Sequence, residues 1–385
     1  GRWMFMMSRM RAGYKLSLAP FPVDYSFLHH DQELYDLTHG IGKDAHFAPD
    51  YRIGLALGWG GLRRKVERSL EEHEEDPEAV ELLNAELEAL AGIRNWIHRT
   101  AMAAEGELRR INLKLETEPP ETLREACQWI AWFNMASRTY NRDGAGGQLD
   151  EILRPYYERD LAAGRIDDED AVFYIACLLL NDPHYYQLGG PGEDGRDMAS
   201  PLSFLILEAA AKLKSSCNLT IRVHDGMDRR LFRRGVEILL ENKLGYPRFS
   251  GDKALVAGFM KNGYNAGLAR KRIATGCNWM SLPGLEYTLN DVVKINIAKV
   301  FEVAFRETAE GDSPSLEKLE KTYIRHFRIA VETVMKGIDF HLSHQYRNEP
   351  ELLLNLLSHG PLEKGLDVSH GGAMYYNMAV DGAGL

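Results

Sequence analysis

The sequence predicts an α/β protein with a helix-rich, barrel-like periphery. Long stretches of the chain carry apolar residues at helical spacing, and a short segment between them alternates as a β-strand does. Long helices punctuated by short strands are typical of α/β folds. The 385 residues are 45% hydrophobic and 26% charged, which is an ordinary globular composition, large enough for one big core or two domains.

Charge and cysteine content exclude several classes of function. The net charge of −10 leaves no basic excess to neutralise phosphates, so we expect no nucleic-acid partner. No apolar run reaches transmembrane length and the first residues lack the apolar region of a signal peptide, so we expect no membrane association. The cysteines lie tens of residues apart without a CxxC pair, a pattern that fits reduced thiols in the cytoplasm: Cys127, Cys177, Cys217 and Cys277.

Histidines cluster near the N-terminus, with four of them in 18 residues, among them His29, His30 and His46. No HxxxH spacing joins any pair of them to a carboxylate in a usual ligand set. We therefore predict loop or pocket histidines and no metal site. A helix over Arg52 to Leu70 follows, because its apolar residues recur at helical spacing.

Two helical stretches are predicted between Pro77 and residue 136, with a break at Pro119-Pro120 between them. Pro77 starts a helix, and Ala and Leu recur at helical intervals from Ala79 to Leu115. Thr122 with Glu125 three residues later is the signature of an N-cap that begins a further helix. We expect the aromatic residues of that helix in the core, namely Trp129, Trp132 and Phe133.

Shorter elements follow. Residues 143–147 predict a turn, residues 218–224 alternate as a strand, and residues 245–252 predict an extended link. Helical patterns cover residues 149–161, 171–180, 201–214, 228–241, 254–262, 290–306 and 315–336.

The run from Gly189 to Gly195 spells GxGxxG, the pattern of a dinucleotide-binding loop. Such a loop should follow a strand and open a helix directly, so that its amide groups cradle the phosphates. Here Pro191 removes an amide donor, and Glu193 with Asp194 would repel a pyrophosphate. We predict no dinucleotide site.

The stretch from Arg272 to Gly284 predicts a tight loop with one thiol at its tip, since Gly276 precedes Cys277 and Pro283-Gly284 ends the stretch. An isolated cysteine is most often a buried structural thiol. An irregular loop instead favours a chemical role. Ionic cysteine chemistry needs a base or a cation beside the thiol, and the nearest basic residue in the sequence, Arg272, precedes it by five.

Several motifs together give the sequence a family resemblance. Their order resembles the pyruvate formate-lyase family of glycyl radical enzymes from about His46 to Leu385: the Gly189-Gly190 acidic loop, Leu207-Glu208-Ala209, the strand from Asn218 to Arg222, Gly245-Tyr246-Pro247, Gly276-Cys277, and the segment from Gly371 to Asn377. The resemblance implies a barrel of ten strands in two five-stranded halves with the cysteine on a finger loop inside it. It also implies that residues 1–385 are a partial barrel domain without a glycyl radical domain.

The resemblance further implies a radical relay. A backbone glycyl radical would oxidise Cys277 to a thiyl radical, which takes a hydrogen atom from a small organic substrate and starts C–C or C–heteroatom cleavage. Hydrogen-atom transfer explains why the thiol has no ionic activator nearby. The family implies a radical S-adenosylmethionine activating enzyme and a homodimer as partners, with no bound cofactor in this chain and the glycyl radical supplied by a segment outside it.

Departures from the family pattern bear on the reaction. The radical-bearing Arg-x-x-Gly-Tyr or Phe loop has no match after Met374, and both chain ends look cut, so we expect a fragment. Many relatives carry a Glu two residues after the thiol as a base, where this chain has Trp279, and pyruvate formate-lyases carry a second Cys, where it has Asn278. Elimination assisted by that Glu is disfavoured, while C–C cleavage, decarboxylation and addition stay open.

Four pocket residues are expected beside the thiol. Asn278 could hydrogen-bond a carbonyl or carboxylate, and Trp279 would make one pocket wall apolar. By resemblance, His46 and Gln187 are substrate-binding candidates, with a structural hydrogen-bonding role as the alternative.

Two other classes of protein compete with the radical enzyme. One is a non-catalytic scaffold that kept the fold and lost the radical site. The other is an ionic cysteine enzyme that uses His29, His30 or His46 as its base, which requires that histidine within ~3 Å of the sulfur.

Overall fold

The computed structural model describes residue 24 and residues 26–37, 47–138, 144–181, 184–215, 217–276, 279–289, 294–378 and 381–383. Three of the predicted site residues, His46, Cys277 and Asn278, lie outside the described residues.

Helices follow most of the predicted helical patterns, with bounds that differ by a few residues except for the helix predicted over residues 315–336, which continues to Asn348. In chain order they are α1 (His29–Leu34), α2 (Tyr51–Glu72), α3 (Pro77–Ala103), α4 (Gly106–Leu115), α5 (Leu123–Arg138), α6 (Leu149–Ala162), α7 (Asp168–Asn181), α8 (Pro201–Leu213), α9 (Arg229–Asn242), α10 (Asp252–Lys261), α11 (Ala266–Arg270), α12 (Ile297–Glu310), α13 (Leu316–Asn348), α14 (Leu352–Leu356) and α15 (Pro361–Lys364). The pattern over Ala79 to Leu115 is divided at Ala104-Glu105 between α3 and α4.

Strands are short. In chain order they are β1 (Ala145–Gln148), β2 (Tyr185–Leu188), β3 (Leu219–Val223), β4 (Arg248–Gly251), β5 (Ile273–Ala274), β6 (Met280–Ser281), β7 (Glu286–Leu289), β8 (Lys294–Asn296), β9 (Tyr375–Met378) and β10 (Asp381–Ala383).

One compact unit comprises residues 47–287 and 352–375 and is built on a four-stranded parallel sheet in the order β1-β2-β3-β4. Tyr186 pairs with Leu219, and Ile221 pairs with Phe249. Helices connect successive strands, as parallel pairs require. β1 and β2 are buried along their whole length, as expected for a sheet covered on both faces. The α/β prediction is confirmed.

Three of these strands, β1, β2 and β4, were missed. The prediction of a turn over residues 143–147 was wrong, because β1 begins at Ala145, and the link over residues 245–252 contains β4. In β1 glycine is needed for close packing, since a Cβ atom on Gly146 would overlap the ring of Tyr186. A glycine that lets a strand approach its neighbour has the same local signature as a turn glycine.

Aromatic side chains of α5 form part of the core, as predicted. Trp129 is fully buried and stacks on Trp59 of α2 with ring centroids 4.9 Å apart. The predicted N-cap is confirmed, since the backbone N–H of Glu125 donates to Thr122 Oγ1 at 3.2 Å. The Glu125 carboxylate in turn accepts from the backbone N–H of Thr122 at 3.3 Å.

The other compact unit comprises residues 1–46, 288–351 and 376–385, and its described part contains α1, α12, α13, β8 and β10. Tyr35 and His326 Nδ1 form a hydrogen bond of 2.7 Å. The helix predicted over residues 290–306 was wrong at its start, because β8 occupies Lys294–Asn296. Asn296 caps α12 by accepting the N–H of Lys299 at 3.0 Å, so the helix begins at Ile297.

No helix in the described ranges is both long enough and apolar enough to cross a membrane.

Candidate active site

The predicted cysteine loop is the tip of a β-hairpin, here called the finger (residues 272–281). Its strands β5 and β6 are antiparallel, with Ile273 opposite Ser281 and Ala274 opposite Met280. Beyond them the backbone N–H of Thr275 donates to the carbonyl of Trp279 at 3.0 Å. In the sequence, Cys277 and Asn278 connect Gly276 to Trp279, and they lie outside the described residues.

Gln187 of β2 attaches the finger to the sheet. Its Oε1 accepts the backbone N–H of Ala274 at 3.1 Å, and its Nε2 donates to the carbonyl of Arg272 at 3.2 Å and to Gln148 Oε1 at 2.8 Å. The residue is fully buried. These contacts support the structural role that the sequence left open, while a contact between Gln187 and a substrate stays a prediction.

Arg248 of β4 reaches the finger tip. Its Nη2 donates to the carbonyl of Gly276 at 3.2 Å and to Thr220 Oγ1 at 3.2 Å. The guanidinium group lies 5.4 Å from the ring centroid of Tyr185, which is the geometry of a cation–π contact. A cation therefore lies beside the residue that precedes Cys277, although the flanking sequence contains none.

At its base, the finger joins a buried charge cluster. Asp252 accepts hydrogen bonds from Arg222 Nη2 at 3.0 Å and from Arg272 Nη2 at 2.6 Å, and all three side chains are at most 4% exposed. Two guanidinium groups thus share one carboxylate. Burial, followed by the charge of Arg222, lowers the pKa of Arg272 to about 10, and burial also lowers the pKa of Arg222.

These contacts give the direction of the finger. Arg272 lies at the carboxyl ends of β3 and β4, where Arg222 and Asp252 are, whereas Gly276 lies beside Arg248, the first residue of β4. From Arg272 to Gly276 the finger therefore runs antiparallel to the sheet strands, and Gly276 lies toward their amino-terminal ends.

A cavity of about 460 Å³ lies at the opposite end, by the base of the finger. Gln148, Pro191 and Arg222 line it where β1, β2 and β3 end, and Ile273 contributes from the finger. Carboxyl ends of parallel strands are where α/β proteins commonly bind ligands.

Acidic and basic side chains form pairs around the cavity. Asp50, which caps α2, accepts from Arg52 Nε at 2.8 Å and lies 3.3 Å from His359 Nε2. Burial alone would raise the pKa of Asp50, but the hydrogen bonds from His359 and Arg52 outweigh it and hold the pKa below its usual range. Lys271 pairs with Glu193 at 2.8 Å.

The predictions about a histidine base for the cysteine and about the lack of a metal site stay predictions. His29 and His30 are exposed on α1, and His46 and Cys277 are not described, so the ionic cysteine hypothesis stays a prediction. Within the described ranges, no group of three or more His, Cys, Asp or Glu side chains could hold a metal ion.

Sequence reasoning missed several residues of this region. Arg222 could have been predicted to form a buried ion pair, because it lies inside an apolar strand and a charged residue there is buried only with a partner. No such signal marks His359, Asp252 or Arg248, since each contacts its partner across a large separation in the chain, 309 residues for His359 and Asp50.

Comparisons with known proteins agree on one family. The family model described as "Pyruvate formate lyase-like" matches residues 32–385. The (2S)-3-sulfopropanediol dehydratase of Klebsiella oxytoca is 23% identical over an alignment that is 407 residues long. The alignment covers 91% of this chain and 49% of the dehydratase. The isethionate sulfite-lyase of Desulfovibrio desulfuricans is 23% identical over 315 residues, which cover 70% of this chain and 38% of the lyase.

The fold matches a solved structure as well. A glycyl radical enzyme from Archaeoglobus fulgidus superimposes with a TM-score of 0.85 at 23% identity, over 97% of this chain and 55% of that enzyme. The expected helix-rich α/β fold is confirmed, with four parallel strands in the largest sheet of the described residues and no barrel closure among them. The chain spans about half the length of the sulfopropanediol dehydratase and of the archaeal enzyme.

Proposed function

Because the chain belongs to the pyruvate formate lyase-like family, we propose that it acts as a glycyl radical enzyme of the lyase type. In this proposal Cys277 carries the thiyl radical. The radical takes a hydrogen atom from a small organic substrate, and the substrate radical then undergoes bond cleavage. The glycyl radical comes from a segment outside the 385 residues, and a radical S-adenosylmethionine enzyme generates it.

The finger is the observation that carries this proposal. The described residues on either side of Cys277 and Asn278 are held by the Thr275–Trp279 hydrogen bond, by Gln187 at β5 and by Arg248 at Gly276. A radical relay requires the sulfur at a fixed distance from both hydrogen donor and acceptor, and a tethered hairpin meets that need. No base is required, because the hydrogen moves as an atom.

The substrate site in this proposal is at the tip. Asn278 and Trp279, the two residues after the thiol in the sequence, are the substrate-binding candidates there, with His46 as a further one. The Arg248 guanidinium beside Gly276 favours a substrate that carries negative charge or a carbonyl oxygen. Trp279 cannot serve as a base. A dehydration or sulfite elimination, the reactions that name the two relatives, would therefore need a proton-transfer group from elsewhere.

The test uses the natural full-length protein and its activating enzyme under anaerobic conditions. Electron paramagnetic resonance should show a glycyl doublet, which arises from the single α-hydrogen. In D₂O the thiol of Cys277 carries deuterium, so reversible transfer between thiol and glycyl radical should replace that hydrogen and collapse the doublet to a singlet.

The variant Cys277→Ala should keep the doublet in D₂O. Cys177→Ala is the matched control, because Cys177 is an exposed thiol on α7, and its doublet should collapse as in the native protein. Collapse in Cys277→Ala would remove the cysteine from the relay. Absence of any radical, under conditions that activate a relative, would favour the non-catalytic scaffold.

A further inference from the structure

The loop from Gly189 to Gly195, which the proposed function does not use, helps to enclose the cavity at the base of the finger. Three of its residues line this cavity of about 460 Å³, namely Pro191, Gly192 and Glu193. Gly190 has φ +94°, and a Cβ atom there would lie within 2.7 Å of the Arg222 side chain. Glycine therefore lets the backbone of the loop pack directly on the stem of Arg222, which fixes the position of the guanidinium group.

Arg222 brings to this cavity a guanidinium group that its partner does not use fully. Asp252 accepts from Arg222 Nε at 3.1 Å and from Nη2 at 3.0 Å, whereas no acceptor among the described residues contacts Nη1. Unlike Arg272 Nε, which is fully buried without a partner, Arg222 Nη1 keeps accessible surface. Since Arg222 lines the cavity, the N–H groups of Nη1 are open to a ligand there.

Two nearby carboxylates act on Arg222 only through space, and both have other partners. Asp150 is buried and accepts the backbone N–H of Gly189 at 2.8 Å, while Glu151 lies 3.6 Å from Arg52. Burial lowers the pKa of Arg222 in spite of the surrounding negative charges. The charge of this guanidinium group is therefore only partly compensated by the protein.

The remaining charges on the wall favour an anion over a cation. Each of the three carboxylates that line the cavity has a basic partner on the same wall: Asp50 with Arg52, Glu151 with Arg52, and Glu193 with Lys271. Arg270, by contrast, forms no ion pair in the described part of the chain, and its Nη1 donates to the backbone carbonyl of Glu193 at 3.1 Å. A cation would thus meet only paired carboxylates, whereas an anion would meet Arg222 and Arg270.

We infer that this cavity binds a small organic anion, whose carboxylate accepts from Arg222 Nη1 and whose apolar body lies against the apolar part of the wall. That part includes Ile152, Ile273 and Leu285. Guanidinium groups bind carboxylates through charge-assisted hydrogen bonds, and these are stronger where solvent is excluded. The volume of about 460 Å³ lies within the range of small-molecule sites. The inference does not rest on the proposed function, because it uses neither Cys277 nor a radical.

Calorimetric titration of the natural full-length protein with benzoate tests the inference. Benzamide is the matched probe, because it has nearly the same shape and no charge, and sodium chloride keeps the ionic strength constant. We expect saturable binding of benzoate that is roughly tenfold or more tighter than the binding of benzamide. Absence of saturable benzoate binding, or equal affinity for the two probes, would overturn the inference.

The variant Arg222→Met tests the donor. It leaves Asp252 paired with Arg272 at 2.6 Å, so that no buried carboxylate loses its last partner. It should abolish the preference for benzoate over benzamide. Arg230→Met is the control and should keep that preference, because Arg230 is exposed on α9 and does not line the cavity.

The variant Ile152→Trp tests the place and leaves each arginine unchanged. The larger side chain should fill part of the cavity and weaken the binding of both probes. Ile324→Trp, at an exposed position of α13 away from the cavity, is the control and should bind both probes as the native protein does. A preference for benzoate that survives Arg222→Met, or benzoate affinity that Ile152→Trp leaves unchanged, would place the binding elsewhere and overturn the inference.

Discussion

Glu86 of α3 shows what a single buried carboxyl group does to this protein. Its side chain is fully buried, and Oε1 accepts from Asn355 Nδ2 at 2.9 Å. Oε2 has no partner in the described residues. Burial, which outweighs the Asn355 hydrogen bond, raises the pKa of Glu86 from 4.5 to about 8. The residue therefore carries its proton at neutral pH.

We predict that Glu86 makes the protein less stable as pH rises from about 4.5 to 8. In this window the unfolded chain has lost the proton and the folded protein still holds it, so Glu86 lowers the free energy of unfolding by up to about 1.4 kcal/mol per pH unit. Glu86→Gln resembles the protonated form and should remove this slope. Urea unfolding at pH 5, 6, 7 and 8 measures it.

The exposed Glu88→Gln on the same helix is the matched control, and it should leave the pH dependence of stability unchanged. A stability difference between Glu86→Gln and the native protein that stays constant from pH 5 to 8 would show that Glu86 is ionised in the fold.

At the scale of elements, two helical glycines should respond oppositely to the same substitution. A Cβ atom on Gly54 of α2 would overlap the Trp129 indole of α5, whereas one on Gly92 of α3 would meet no atom within 4 Å. We expect Gly54→Ala to lower the free energy of unfolding by about 1–3 kcal/mol through overpacking. Gly92→Ala should raise it by up to ~1 kcal/mol, because alanine favours helix. Urea unfolding compares the two, and a stabilising Gly54→Ala would refute the close packing of α2 on α5.

Helices were far easier to predict than strands in this chain. An amphipathic helix repeats its apolar pattern over several turns, so α2 and α9 were visible in the sequence. β1, β2 and β4 have four residues each, and full burial removes alternation from β1 and β2. The strand β8 was missed for a related reason. Its three residues directly precede α12 and extend the apolar pattern of that helix, so only the Asn296 cap marks the boundary.

For the molecule as a whole, the sequence identified the finger but not what holds it. Glycine, proline and an isolated cysteine mark the loop locally, and the order of motifs along the chain indicated the family. The hydrogen bond that attaches the finger to the sheet joins Gln187 to the carbonyl of Arg272, 85 residues later in the chain. Patterns in a single sequence contain no information on such pairs. The same holds for Arg248 and Gly276, 28 residues apart. The cation at the tip therefore appears only when the chain is folded.

The dependence of the finger on the sheet yields the last prediction. Gln187→Leu keeps the approximate volume but removes the acceptor for the Ala274 N–H and the donor to the Arg272 carbonyl, and it leaves both backbone groups buried without a partner. We expect the free energy of unfolding to fall by about 1–3 kcal/mol. In hydrogen exchange, the Ala274 amide should lose protection while the amides of β3 keep theirs.

The same variant separates the position of the finger from the making of the radical. In the activated full-length protein, Gln187→Leu should keep the glycyl doublet, and its collapse in D₂O should slow, because the thiol is less well placed for transfer. Gln128→Leu, on α5, is the control and should match the native protein in both measurements. Unchanged Ala274 protection in Gln187→Leu would mean that the β5–β6 pairing alone fixes the finger, and the cysteine would then be positioned without the sheet.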